Sequence, residues 1–208
     1  MRAPSIRTRR ILTRSSAPVA VLLAGLMVWS GSNAAFSSDT RNVGNSWETG
    51  SVALSNDSPG GVAMFQVQNV VPGQTGEKCI RVTATSSVPG LVKLYTANLG
   101  LNGLQNYVKV AIVQGTGGGS NSCTGFVAGT GSSASSASQS LTSLFAAANS
   151  YDTAILPWST AGVSAGESQT YKFDWVFDVG SLDQAGIDAL QGQATSINFE
   201  WELQNTAP

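Results

Sequence analysis

From Tyr171 to Val179 the chain alternates. Tyr171, Phe173, Trp175, Phe177 and Val179 fall on one side, and Lys172, Asp174 and Asp178 on the other. Successive side chains of a strand point to opposite faces, so this period of two predicts a half-buried strand with its aromatic face inward. The last segment repeats the device: Ile197, Phe199, Trp201 and Leu203 alternate with Asn198, Glu200, Glu202 and Gln204. Shorter stretches follow the same rule. Val62–Gln68 carries Ala63, Phe65 and Val67 on one face, and Lys78–Thr85 sets Ile80, Val82 and Ala84 opposite Cys79 and Arg81. Leu91–Asn98 and Tyr107–Val113 complete the set, the latter with Val108, Val110 and Ile112 in phase. Strands at this spacing predict an all-β fold, an antiparallel β-sandwich of jelly-roll type with one or two short helices.

Pro-Gly steps punctuate the strands at Ser58–Gly61, Val71–Gly73 and Val88–Gly90. Proline then glycine suits the two central positions of a type II turn. Helix is expected at Gln139–Ala148, and at Ser181–Leu190 with Ser181 as N-cap and Gly192 just past the end. Residues 115–138, mostly Gly, Ser, Thr and Ala, read as an exposed, mobile loop tied at Cys123.

The first 34 residues break the pattern. Arg2, Arg7, Arg9, Arg10 and Arg14 precede Ala17–Trp29, an uncharged run of 13 residues. A membrane span needs about 20 apolar residues, whereas the core of a signal peptide takes about 7–15. Ser32 and Ala34 then supply small side chains three and one residues before a cleavage site. Cleavage after Ala34, or after Ala35, would leave Ala35 or Phe36 as the new N-terminus; an uncleaved anchor is the alternative. The expected organisation is a signal peptide over 1–34, an N-terminal extension over 35–46 and one sandwich domain over 47–208. The membrane is met only through the leader before cleavage, and the expected product is exported, soluble or assembled.

Loss of the leader removes five of the eleven basic residues and none of the twelve acidic ones, leaving a net charge of −6. That excludes nucleic-acid binding through a basic surface. Cys79 and Cys123 are the only cysteines, and in an exported chain they are expected to pair. Closing that loop is worth about 4 kcal/mol in the chain-entropy treatment. A redox or metal pair would call for CxxC spacing and a nearby histidine, and the chain has no histidine at all. The same lack removes the Ser-His-Asp triad, the Cys-His dyad and HExxH zinc sites. Glu200 and Glu202 stand about 6–7 Å apart along one strand face, a separation some glycosidases use. Their place on the polar side of an amphipathic strand reads as solvation instead, and so does that of Asp174 and Asp178. Asp57 and Asp152 lie near turns, where oxygen ligands for a hard cation could gather, but without EF-hand spacing. No catalytic residue, cofactor or metal is assigned.

Ala35–Asp39, Asn45–Gly50, Asn69–Gly73 and Gln191-Gly192 with Ile197, Phe199, Trp201 and Glu202 together resemble the TasA/camelysin family of exported bacterial proteins, whose best-known members build biofilm matrix fibres. Ala35-Phe36-Ser37-Ser38-Asp39 is similar to the family's mature start, and Asn45-Ser46-Trp47-Glu48-Thr49-Gly50 to its N-x-F-x-x-G. Asn69-Val70-Val71-Pro72-Gly73 resembles its N-x-x-P-G turn. Gln191-Gly192 followed by Ile197, Phe199, Trp201 and Glu202 resembles its closing turn and strand. Trp47 stands where phenylalanine is usual, Ser37 where a second aromatic is common, and the 115–138 loop and cysteine pair have no counterpart. The resemblance implies a jelly-roll subunit that polymerises by donor-strand complementation, with Ala35, Phe36, Ser37, Ser38, Asp39 and Thr40 as the donor strand. An open sheet edge invites a neighbour's strand, and a heterologous contact propagates a filament. The alternatives for this segment are a frayed terminus or a strand paired within its own subunit. The expected partner is a second copy of the chain, with an accessory matrix or anchoring protein as a further candidate. A monomeric β-sandwich binding module and a camelysin-like metalloprotease are the alternative functions.

Overall fold

Among the described residues ten strands form in the order β1 (Ser37–Asp39), β2 (Val52–Asn56), β3 (Thr75–Ser86), β4 (Gly90–Ala97), β5 (Val108–Thr116), β6 (Val127–Ala128), β7 (Gln139–Ser140), β8 (Ile155–Thr160), β9 (Glu167–Phe177) and β10 (Asn198–Asn205). This computed structural model describes residues 37–39 by their backbone, together with 52–58, 65, 67, 69–120, 122–131 and 134–206. The expected leader at 1–34 with its expected cleavage site, Ala35, Phe36, Thr40, the 45–50 motif, the expected turn at Pro59-Gly60-Gly61 and most of Val62–Gln68 lie outside the described residues. All pairings are antiparallel. They build one sheet in the order β1-β10-β4-β8 and a second in the order β2-β3-β9-β5-β6, with β7 also on β5.

The predicted alternation is the packing. Ile80, Val82 and Ala84 of β3, Val110 and Ile112 of β5, and Tyr171 and Phe173 of β9 are buried in one cluster with Val92 and Leu94 of β4 and Trp201 and Leu203 of β10. Aromatic edges join the sheets: Tyr171 meets Trp201 at 5.3 Å between ring centroids and Phe173 meets Phe199 at 4.7 Å. Phe65, partly buried, adds a third ring at 5.8 Å from Phe173. Val67, expected on the same face, is exposed.

A buried polar path crosses this core. Gln114 Nε2 donates to the Leu156 carbonyl at 2.5 Å and to the Tyr171 hydroxyl at 3.2 Å. Burial pushes the Tyr171 phenol well above its ordinary range, and the bond from Gln114 opposes that shift only in part. Among the described residues the buried Trp201 indole N–H has no hydrogen-bond partner, and its nearness to the same phenol likewise opposes the upward shift.

Local chemistry moved several expected boundaries. The Val71–Gly73 turn forms as read, with Gln74 N donating to Val71 O at 3.0 Å and Gly73 at φ 78°. At Val88–Gly90, however, Gly90 already belongs to β4, where Leu203 and the Gln204 carbonyl leave no room for a Cβ. Gln139 and Ser140 pair with β5, so the expected helix begins only at Leu141 (α1, Leu141–Ala147), capped by Ser140, whose side chain accepts from Ser143 N. The next helix, α2 (Gln184–Ala189), is capped by Asp183 rather than Ser181. The Asp183 carboxylate takes the Gly186 N–H at 2.9 Å, and Gly192 follows at φ 73°.

Candidate functional site

The N-terminal segment lies on a sheet edge. Ser37, Ser38 and Asp39 stand opposite Gln204, Leu203 and Glu202, so β1 pairs antiparallel with β10 of its own chain. Pairing within the subunit is one of the arrangements the sequence left open. Among the described residues β1 has no strand on its far side, and the Asn198–Trp201 half of β10 has none on the β1 side. Ala35, Phe36 and Thr40, the rest of the expected donor strand, lie outside the described residues.

The opposite edge of the same sheet is built differently. Between Val92 and Leu94 of β4 the register on β8 steps from Trp158 to Ile155, so β8 carries one extra residue. Leu156 takes up that bulge at φ 52°, a conformation a bulky side chain rarely adopts, and is 3% exposed. Its carbonyl is held by Gln114. Pro157, next in line, brings no N–H to the edge.

Cys79 and Cys123 are joined, with Cα atoms 5.2 Å apart and a sequence separation of 44. The 115–138 stretch tied at Cys123 carries backbone pairing of its own. Its 127–128 stretch pairs with Gly115 and Thr116 of β5, Gly119 bridges Ser122, and Ser135 bridges Val113. A Cβ on Gly115 would run into the Val127 carbonyl and the Phe126 ring. Glycine here permits close approach of an aromatic side chain, which composition alone reads as flexibility.

The carboxylates have separate roles. Asp178 pairs with Lys109 at 2.6 Å, and that hydrogen bond, helped by the Gly180 N–H, holds its carboxyl below the ordinary range. Lys172 bridges Glu77 at 2.8 Å and Asp174 at 3.1 Å on the outer face of the larger sheet, which keeps its ammonium above the ordinary range. Glu200 departs from expectation: it is 5% exposed, not solvated. Alternation puts it on the face it shares with Tyr95, its partner on β4, yet the position is closed to solvent. Glu202 stands opposite Lys93, accepts from Gln204 Nε2 at 2.9 Å, and raises the Tyr151 phenol together with burial, the larger cause, and Asp152. Lys93 in turn sits 4.3 Å from the Tyr151 ring centre. Glu167 gathers the N–H groups of Ala161, Gly162 and Val163 on its carboxylate and so shapes the β8–β9 turn.

Sequence reading missed Asp57 as an organiser: its carboxylate accepts from Arg81 N at 2.8 Å and from Ser120 N at 2.9 Å. The available signal was its place one residue beyond a strand end, followed by serine. Among the described residues no helix is long and apolar enough to cross a membrane, and no three His, Cys, Asp or Glu gather as metal ligands would. No protein-family model and no curated protein matches the chain.

Proposed function

We propose that this chain is a secreted structural protein of the TasA/camelysin type, a jelly-roll subunit that polymerises into extracellular matrix fibres by exchanging β1 between copies. The observation that carries this reading is the edge position of β1, a three-residue strand close to the N-terminus and held by backbone pairing to β10. Each such hydrogen bond contributes only about 0.5–1.5 kcal/mol net. The same bonds form whether the strand comes from its own subunit or from a neighbour, so exchange conserves contacts and is limited by opening alone. Once exchanged, donor and acceptor sit at different places on each copy, and the contact repeats without closing. The blunted β8 edge favours extension through β10, and the histidine-free sequence favours a structural role over hydrolysis.

A cysteine pair at facing register tests the exchange. Ser37→Cys with Gln204→Cys, oxidised in the monomer, should lock β1 at home and abolish filaments in negative-stain micrographs. The same pair oxidised after assembly should give covalent ladders on denaturing gels. Filaments from fully locked monomers, or only monomeric bands from oxidised filaments, would remove the donor role of Ala35–Thr40.

A further inference from the structure

The outer face of the larger sheet carries a strap. Gly115 of β5, Thr170 of β9 and Arg81 of β3 stand in one row across the sheet, and Thr170, although polar and outward, is 2% exposed. The chain leaving β5 passes over this row. Phe126 rests on Gly115, the Arg81 guanidinium donates to the Gly118 carbonyl, and Cys123 is bonded to Cys79 of β3. Beyond β3 the strap reaches the end of β2. There Asp57 accepts the Ser120 N–H at 2.9 Å, while Ser120 Oγ donates to the Asp57 carbonyl at 2.6 Å. Asp57 is itself fixed to β3, donating its N–H to Arg81 O at 3.1 Å and accepting from Arg81 N at 2.8 Å. A tight turn, with Gly119 and Ser122 exchanging backbone bonds at 2.9 and 3.1 Å, separates this polar fastener from Cys123.

We propose that Asp57 is a positioning residue for the disulfide: it docks the 118–120 turn on the sheet and presents Cys123 to Cys79 before the bond exists. The fastener needs no cysteine. Its bonds join Asp57, Arg81, Gly118 and Ser120, and Ser120 lies three residues before Cys123. Holding two reacting groups together raises their effective concentration and so favours closure. The oxidant is a low-molecular-weight or protein disulfide. One cysteine thiolate attacks it to form a mixed disulfide and release one thiol, and the second cysteine thiolate displaces the other. Cys79 and Cys123 together lose two protons, and two electrons pass to the oxidant. Closure then locks the exposed end of edge strand β2 to the centre of its sheet.

The thiol–disulfide equilibrium against glutathione reads this directly. Asp57→Asn, which can no longer accept at both oxygens, should lower the closure constant about tenfold, equivalent to roughly 30 mV. Gly119→Ala perturbs the fastener from the other side, because its Cβ would collide with Asp57 Oδ2, and should shift the equilibrium in the same direction. Lys109→Ala, remote from the strap, sets the baseline for general destabilisation, including the case where the reduced chain unfolds. In a Cys79→Ala/Cys123→Ala chain the Ser120 amide should stay protected from hydrogen exchange, and adding Asp57→Ala should abolish that protection. The proposal is overturned if Asp57→Asn and Gly119→Ala shift the closure constant no more than Lys109→Ala does. Free exchange at Ser120 in a folded cysteine-less chain that retains Asp57 overturns it equally.

Discussion

Phe173 of β9 and Phe199 of β10 meet edge-to-face across the sandwich, ring centroids 4.7 Å apart at 64°. This contact ties two strands of different sheets that never pair through their backbones. Phe173 is fully buried, so Phe173→Ala should cost about 3–5 kcal/mol. Phe199→Ala should cost less, because its ring keeps some exposure. Denaturant midpoints of the two variants measure the difference, and equal losses would contradict the packing described.

Two glycines should fail for different reasons. A Cβ on Gly90 would stand 2.5 Å from Leu203 Cδ1 and 2.8 Å from the Gln204 carbonyl, and the carbonyl is backbone that cannot swing away. Gly90→Ala should therefore destabilise by about 1–3 kcal/mol, as overpacking does. Gly73 has open space around it but sits at φ 78°, so Gly73→Ala should lose about 1 kcal/mol through backbone conformation alone. Thermal unfolding ranks them, and a larger shift for Gly73→Ala would refute the steric account of Gly90.

Tyr171 sets an alkaline limit. Its phenol is raised above the ordinary value of 10.0 because burial penalises the anion. A group raised on folding lends its stability in full below the unfolded pKa, so that stability is present below about pH 10 and drains away as the pH climbs beyond it. Tyr171→Phe should cost about 0.5–1.5 kcal/mol at neutral pH through the lost bond with Gln114. It should also flatten the alkaline limb of the stability curve. Unfolding free energy measured from pH 8 to 11 decides it; parallel curves for both chains would sink the prediction.

The long alternating segments were legible because they obey one rule throughout. Tyr171–Phe177 and Phe199–Leu203 needed only a period of two to place their inward faces. The same rule says which way Glu200 points and nothing about what covers that face, so its burial could not be read. Helix starts shifted for a similar reason: Ser181 and Asp183 are both acceptable caps, and only the path of the chain chooses the second. The Gly/Ser-rich stretch misled most. Gly115 and Gly119 admit Phe126 and Asp57 at close range, and such contacts join residues 11 and 62 positions apart in the sequence. That Ser37–Asp39 lie along β10, and in which register, came only with the backbone.

The bulge at Leu156, with Pro157 beside it, gives the smaller sheet a handedness of use. One flank ends in a bulged strand that offers an incoming strand no regular ladder, while the other, among the described residues, ends in the three-residue β1. A strand added to that sheet would therefore meet an unbroken backbone beside β1 and an interrupted one beside β8.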